Sequence, residues 1–334
     1  MTMKKVKWGV LSTAKIGLEK VIPAMLKGDC CDVRAIASRS PERGRVVADQ
    51  FGIPTVYGSY EELIADPEIE AIYNPLPNDL HVPLTLLAAR AGKHVLCEKP
   101  FALNATQAAE LREVADKVHI MEAFMVRFHP QWLQVRDQVR SGALGDLRVV
   151  QACFAYFNRD VNNIRNQLDV GGGALYDIGC YPVVIGRFLF EAEPRRVIAL
   201  IDRDPDFKTD RTVSALLDFG DGRRLDFTVS TQSVTYQRVQ VCGTQKRIEV
   251  QIPFNAPLGG ATHIHTDDGS ALDGSSVSTV TLPPCDMYTL QCDAFSRVIR
   301  GEMALPYGVE DAILNMRVID ALFESEKTGS WVTV

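Results

Sequence analysis

Apolar positions in the first 120 residues fall in short runs, separated by stretches where they recur every three or four places. That is how strands alternating with helices write themselves. Residues 6–11, 33–38, 71–73 and 94–97 are expected as strands, with 119–123 as a further one. Between them 17–27, 41–50, 60–65, 81–91 and 105–115 are expected as helices, the last with Asn104 as its N-cap. The pattern predicts a doubly wound parallel sheet with helical crossovers, the Rossmann architecture of an α/β protein. Beyond residue 124 the pattern changes. A helix is expected over 128–140, an extended run over 147–157, and a glycine-rich segment at 171–181 leading into a helix that ends at 190. Strands follow at 197–201, 213–219, 224–231, 236–242, 246–251 and 277–282, broken by turn signals such as Asp221-Gly222. A helical pair, 288–300 and 310–328, closes the chain. The expectation is therefore a dinucleotide-binding domain over 1–123 and an α+β domain with a large, mostly antiparallel open sheet over 124–334.

At 334 residues the chain exceeds what one core usually fills, which agrees with two domains and a cleft between them. The net charge of -6 and pI near 5.6, with no long run of Lys or Arg, argue against nucleic acid or an acidic membrane surface as partner. A small-molecule substrate fits this balance better. The eight cysteines are scattered, with no pair at C-x-x-C spacing and no Cys/His cluster, so neither a disulfide scaffold nor a metal site is expected. No segment approaches the roughly 20 apolar residues of a membrane span. Residues 1–5 lead straight into the strand expected at 6–11, leaving no room for a secretory leader, and the expected compartment is the cytoplasm. An open sheet carrying helices on one face leaves the other uncovered, so a homodimer or tetramer through that face is expected.

The turn after the first strand reads Ser12-Thr13-Ala14-Lys15-Ile16-Gly17. The dinucleotide fingerprint has glycine at the places held here by Ser12, Ala14 and Gly17, so only the last is retained. Small side chains still let a pyrophosphate approach the backbone, and amides at the helix start point at it. Ser12, Thr13, Ala14 and Ile16 are the cofactor-binding candidates of this turn; an unliganded strand-turn-helix is the competing reading. The second strand ends Ser38-Arg39-Ser40, with Arg43 one turn on, where an NAD-preferring site offers a carboxylate to the ribose. Guanidinium groups make charge-assisted bonds to a 2'-phosphate, so NADP(H) is the expected cofactor, against the plainer reading that Arg39 and Arg43 face solvent.

The segment Cys97-Glu98-Lys99-Pro100 follows a strand's carboxyl end, where open parallel sheets bind ligands. Taken with the turn at Ser12–Gly17, the segment from Tyr73 and Asn74 through Leu76, Pro77 and Asn78 to His81, and Gly171-Gly172-Gly173-Ala174-Leu175-Tyr176-Asp177-Ile178-Gly179-Cys180-Tyr181, it resembles the glucose-fructose oxidoreductase / inositol dehydrogenase family (Gfo/Idh/MocA) along essentially the whole chain. The resemblance implies that Lys99 binds the reacting oxygen and that Pro100 follows a cis peptide beside the nicotinamide. It also implies that Asp177 lies in the site and that the residue four places on transfers a proton. Many members have His there; Tyr181 resembles the sugar-oxidising branch with aldose, xylose and dihydrodiol dehydrogenases.

Chemistry independent of family supports the same set. Oxidising a hemiacetal or secondary alcohol sends a hydride to the nicotinamide and a proton to a base. A tyrosine is a poor base until a neighbouring ammonium favours its phenolate, and Lys99 carries one. Asp177 is compatible with orienting Lys99, orienting Tyr181 or bonding a sugar hydroxyl. Asn74, Leu76, Pro77, Asn78 and Glu98 resemble the family's nicotinamide-side groups, and His81 is given a positioning role. Arg127 is a candidate for cofactor or substrate, His129 for a hinge, and Arg165 for holding substrate hydroxyls. His263 and His265 alternate in a loop-like stretch without a third ligand, which does not make a metal site. The expected activity is NADP-dependent oxidation of an aldose at C1 to its lactone, or of a related cyclic polyol, with the variant of a tightly held cofactor recycled by a second sugar. A trans-dihydrodiol dehydrogenase and a non-catalytic NADP- or sugar-sensing regulator of the same fold are the alternatives; the presence of Lys99, Asp177 and Tyr181 together favours catalysis.

Overall fold

The computed structural model describes residues 4–334; residues 1–3, part of the stretch on which the expectation of no leader rests, lie outside the described residues. The chain divides into two compact units, one running to Met125 and including Tyr288–Met316, the other comprising Val126–Met287 and Arg317–Val334.

The first unit is built on six strands, β1 (Val6–Leu11), β2 (Cys31–Ala37), β3 (Thr55–Tyr57), β4 (Ala71–Asn74), β5 (His94–Cys97) and β6 (Ile120–Glu122), in the order β3-β2-β1-β4-β5-β6. All pairs are parallel. Parallel strands buried on both faces need continuous apolar runs, and the interior of β1 carries Trp8, Val10 and Leu11 with no exposed surface. The crossovers are α1 (Ile22–Lys27), α2 (Pro41–Phe51), α3 (Tyr60–Ala65), α4 (His81–Arg90) and α5 (Ala105–Ala109). Three of them, α2, α3 and α5, start after side-chain caps: Ser40, Ser59 and Asn104 accept from the Arg43, Glu62 and Gln107 amides. The strand order reverses between β1 and β4, so a crevice opens there at the strands' carboxyl ends.

Two local expectations are corrected in this unit, and one strand that the sequence did not suggest is added. The helix expected over 105–115 is five residues of α-helix continued by a 3-10 segment, Glu110–Glu113. Tightening the turn to three residues stacks Ala108, Leu111 and Val114, all fully buried, on one line. The helix after the first turn contains a π segment, Gly17–Val21, before α1. The edge strand β3 is too short, at three residues, to leave a periodic signal.

The second unit holds a nine-stranded sheet. Its strands are β7 (Leu147–Phe157), β8 (Arg196–Arg203), β9 (Asp210–Gly220), β10 (Arg223–Ser230), β11 (Gln232–Gly243), β12 (Arg247–Val250), β13 (Thr262–Asp267), β14 (Ser278–Leu282) and β15 (Val332–Thr333). They lie in the order β14-β13-β12-β11-β7-β10-β9-β8-β15, antiparallel throughout except β7 with β10. Around the sheet's helices, α6 (Pro130–Arg140) begins at His129 and α7 (Cys180–Phe190) is buried at every position, which explains its uninterrupted apolar sequence. The chain then runs through α8 (Met287–Ile299) and α9 (Val309–Thr328). The stretch around His263 and His265 is strand β13, not loop. Thr262 and Ile264 are buried while both imidazoles share the other face, each Nδ1 meeting a β14 hydroxyl, Thr281 at 3.1 Å and Thr279 at 2.8 Å. Flanking glycines and aspartates mask this alternation in the sequence.

The sheet face opposite Val150, Leu217 and Leu225 carries polar cross-strand pairs. Gln151 donates to Asp226 at 3.2 Å, and Ser214 pairs with Thr228 at 2.9 Å. Beside them Leu200 is 78 % exposed and Val234 81 %. The uncovered face is thus a mixed surface rather than an apolar one.

Candidate active site

In the first unit the carboxyl edge of the sheet collects the turn after β1, the end of β2, the loop after β4 and the loop after β5. Ser12 stands at the first glycine place of the fingerprint and takes the left-handed conformation that place demands, with φ 78°. Its own hydroxyl accepts from the Ala14 amide at 3.2 Å, and its amide is tied to Ala37 at the end of β2. The helix opens at Lys15, so the amides of Lys15, Ile16 and Gly17 precede any intrahelical acceptor and face out of its N-terminus. Thr13 is 8 % exposed, and Ile16 is half-buried. A left-handed turn followed by free helix amides fits a dinucleotide pyrophosphate without the missing glycines.

At the end of β2, Ser38 is 5 % exposed and accepts from the Ser40 amide, while Arg39 is exposed. Arg43 turns back across α2's start and donates to the Thr13 carbonyl at 3.4 Å, which brings its guanidinium to the turn after β1. No carboxylate occupies Ser38, Arg39 or Ser40.

The loop after β4 is braced from within. Asn74 is fully buried, donates to the His81 carbonyl at 3.1 Å and to Thr85, and accepts from the Leu76 amide. Its side chain therefore shapes the loop that presents Leu76, Pro77 and Asn78. His81, 1 % exposed, opens α4 with its two ring nitrogens each 2.7 Å from a carbonyl, Nδ1 at Pro100 and Nε2 at Leu76. Burial holds its pKa down at about 4, although the two carbonyls favour the charged form. It links the loop after β4 to the loop after β5, where the Lys99–Pro100 peptide is cis. Glu98 accepts from the Tyr73 hydroxyl at 2.7 Å, and Lys99 leaves the same loop half-buried. Deeper in, Glu122 accepts from the Phe101 amide at 2.9 Å.

In the second unit, Arg127 is buried in a 3-10 turn, Met125–Phe128, and His129 caps α6 by accepting from the Gln131 amide at 3.1 Å. Burial also lowers the His129 pKa to about 4. Arg165, Asp177 and Tyr181 come together here. Asn163 accepts from the Arg165 amide and starts a 3-10 turn, Ile164–Asn166; carbonyls of this turn and of Gln167 just after it receive the glycine motif, the Gly173 amide donating to Arg165 and the Gly172 amide to Gln167, both at 2.9 Å. A side chain at Gly172 would sit 2.6 Å from those same carbonyls. Gly173 has φ 128° and is pressed on the Asp210 carboxylate, which accepts from the Leu175 amide at 2.6 Å. A π turn, Leu175–Gly179, then runs into α7 and carries Asp177 and Tyr181. Asp177, expected from sequence with a surface carboxylate as the plain reading, has a 12 % exposed side chain and pairs with Arg165 Nε at 2.9 Å.

Sequence reasoning passed over several of these groups. Tyr156 donates to Asp177 Oδ2 at 2.6 Å. Phe154 and Phe254 pack on the Tyr181 ring at 5.8 and 5.5 Å between centroids. The period-2 alternation of 147–157 was the available signal for Phe154 and Tyr156; Asp210 and Phe254 left none. Among the described residues no cluster of three or more His, Cys, Asp or Glu is placed to hold a metal ion.

The chain matches the N-terminal and C-terminal domains of one family of known proteins. Residues 6–128 match the oxidoreductase family with an NAD-binding Rossmann fold, and residues 132–249 the GFO/IDH/MocA C-terminal domain. It is 45 % identical to an uncharacterised oxidoreductase of Rhizobium meliloti, over 99 % of this chain and 100 % of the relative. It is 38 % identical to D-xylose 1-dehydrogenase (NADP(+)) 2 of Haloferax volcanii, over 97 % and 98 %. The fold is that of the aldose-aldose oxidoreductase from Caulobacter crescentus solved with glycerol, with a TM-score of 0.90 at 26 % identity over 99 % and 100 % of the two chains. With residues 6–128 and 132–249 matched by the family's two domains and relatives aligned over nearly the whole chain, the chain is an oxidoreductase and belongs to the GFO/IDH/MocA family.

Proposed function

We propose that the protein is an NADP-dependent dehydrogenase that oxidises an aldose at C1 to its lactone, or a related cyclic polyol, in the cytoplasm and as a homodimer or tetramer through the open face of its larger sheet. The observation that carries this reading is the position of Lys99. It stands on the first loop beyond β5, at the same carboxyl edge onto which the turn after β1 opens. The similarity to a xylose dehydrogenase whose name specifies NADP(+) supports both the sugar and the cofactor.

A nicotinamide cofactor bound at the sheet's carboxyl edge would supply the hydride acceptor. Ser12, Thr13, Ala14 and Ile16 would cradle its pyrophosphate, and Ser38, Arg39 and Arg43 would take the 2'-phosphate. Asn74, Leu76, Pro77, Asn78, His81 and Glu98 shape the nicotinamide side, with Arg127 as a further contact. The Lys99 ammonium binds the reacting hydroxyl and stabilises charge on its oxygen. Tyr181, as phenolate, takes the hydroxyl proton while the C–H bond releases its hydride, so the alcohol becomes a carbonyl and the phenol leaves protonated. Asp177 and Arg165 complete the polar set. A panel of aldoses, inositols and trans-dihydrodiols with NADP, read at the reduced-nicotinamide band, tests the reading. An aldose as best substrate is expected; no reduction with any compound would favour a sensor. Tighter binding of NAD than of NADP in calorimetry would overturn the cofactor assignment.

A further inference from the structure

Asp177 and Tyr181 are four residues apart on one helical face, and Tyr156 and Phe154 are two apart on β7. Two residues of strand advance about 6.7 Å and four of helix about 6 Å, so the two pairs match in pitch. The match is realised: Tyr156 meets Asp177 and Phe154 meets Tyr181 edge-on. Phe254 completes the seat of the phenol. It stacks on Phe154 at 4.8 Å, and its neighbour Pro253 accepts from Trp132 Nε1 at 2.8 Å. Tyr181, 6 % exposed, is thus held by two uncharged rings.

Two donors converge on one oxygen of Asp177. Tyr156 reaches Oδ2 at 2.6 Å, the length of an O–H bond to a charged acceptor, and Arg165 Nε reaches it at 2.9 Å. The effects are mutual: Asp177 first, then Tyr156 and Tyr181, raise the Arg165 pKa, and burial and Asp177 push the Tyr156 phenol well up. Tyr156 therefore stays a neutral donor and Arg165 a cation. The charged and titratable groups of this cluster include Arg165, whose field reaches Tyr181, with Asp177 and Tyr156, and the Cys180 thiol donates to the Asp177 carbonyl at 3.7 Å.

We propose that Tyr156 and Arg165 are positioning residues that hold Asp177 as a fixed anion, so that Asp177 takes no proton from substrate and Arg165 favours the Tyr181 phenolate. The proposal rests on the reading of Tyr181 as proton carrier but is testable apart from it. Tyrosinate absorbance, titrated as wild type minus Y181F, reports the ionisation of Tyr181 without turnover. R165M removes a cation and D177N an anion, so their shifts have opposite sign: the Tyr181 pKa rises by about one unit in R165M and falls in D177N, each unit being tenfold in the phenolate fraction. In turnover R165M loses about tenfold in kcat near neutral pH and regains it at high pH, with KM changed less than threefold. R165K keeps the charge and restores the phenol's titration while kcat stays several-fold low. Y156F removes a donor to the charged form, so the acid limb of kcat/KM moves to higher pH. Shifts of equal sign in R165M and D177N, or none with the fold intact by circular dichroism, would overturn the proposal. If R165M does not fold, R165K and Y156F decide it: an unmoved acid limb in Y156F with full kcat in R165K overturns it. Normal shifts with full activity in Y181F would instead remove the proton-carrier reading and leave the network standing.

Discussion

At the scale of single residues the chemistry turns on groups whose surroundings fix their charge. If Lys99 has the proposed role of stabilising charge that develops only in the reaction, Lys99→Met should lower kcat by at least about 100-fold while changing NADP affinity less than twofold. Stopped-flow turnover and calorimetry on one sample check it. Asp210 gives a second prediction. Burial raises its pKa from 3.8 to about 6, so between about pH 4 and 6 the folded chain holds a proton that the unfolded chain has released. Stability carried by this group is complete below the unfolded pKa and is lost as pH rises through the folded one. Arg203 lowers the value and Glu326 raises it, and Tyr176 lies close enough to feel the carboxylate. D210N should therefore flatten the fall in urea-midpoint stability across that window; an unchanged slope would place the titration elsewhere. Lys99, Asp177 and Tyr181 stood out as candidates in the sequence because each sits at a fixed offset from a glycine or proline. Asp210 did not, because the amide it caps is 35 residues away in the chain.

At the scale of elements, secondary structure was legible wherever burial is one-sided or complete, as in β1, β7 and α7. It failed where the departure has a tertiary cause. The 3-10 end of α5 follows from three buried residues needing one line, and β13 from pairing with β14 rather than from its own composition. The dinucleotide turn was half legible: its place was clear, but Ser12 taking φ 78° in place of glycine is a feature of the folded turn, held by Ala37 and by its own hydroxyl. The glycine motif is the clearest case of an element read by pattern and explained by contact. A methyl group on Gly173 would overlap the Asp210 carboxylate and force an unfavourable φ. G173A should cost roughly 2–4 kcal/mol in denaturant unfolding and loosen the turn that carries Asp177. Arg300 provides a test in the first unit, where it donates twice to Glu70 at 2.8 Å and to the Lys4 and Lys5 carbonyls beside β1. Its hydrogen bonds are the largest influence holding the Glu70 pKa at about 2, so this pair stabilises above about pH 4 and loses that contribution as pH falls towards 2. R300M should cost about 1–3 kcal/mol at pH 7 and much less at pH 2.

At the scale of the whole molecule, the face of the larger sheet opposite Val150, Leu217 and Leu225 is the surface that meets either water or a second copy. The sequence predicted an uncovered apolar face; the structure has instead a row of satisfied polar pairs, Gln151 with Asp226 and Ser214 with Thr228, flanked by exposed aliphatics. Polar groups paired within the sheet need no further partner when buried, whereas Leu200 and Val234 gain by leaving water, at about 1.5–3 kcal/mol for each side chain fully covered. Such a surface suits association with a second copy. Light scattering at micromolar concentration should therefore give at least twice the chain mass of 36.9 kDa. L200D should shift the equilibrium to monomer, because the new carboxylate would be buried without a cation, while leaving the unfolding free energy of the separated chain within about 0.5 kcal/mol, as expected of an exposed position. Arg211, whose guanidinium pairs with Asp202 two residues further along β8 at 2.5 Å, is already engaged and leaves that carboxylate unneutralised. A monomeric wild type, or an assembly indifferent to L200D and V234D alike, would mean that this sheet face stays in water and that its polar pairs are there to keep it soluble.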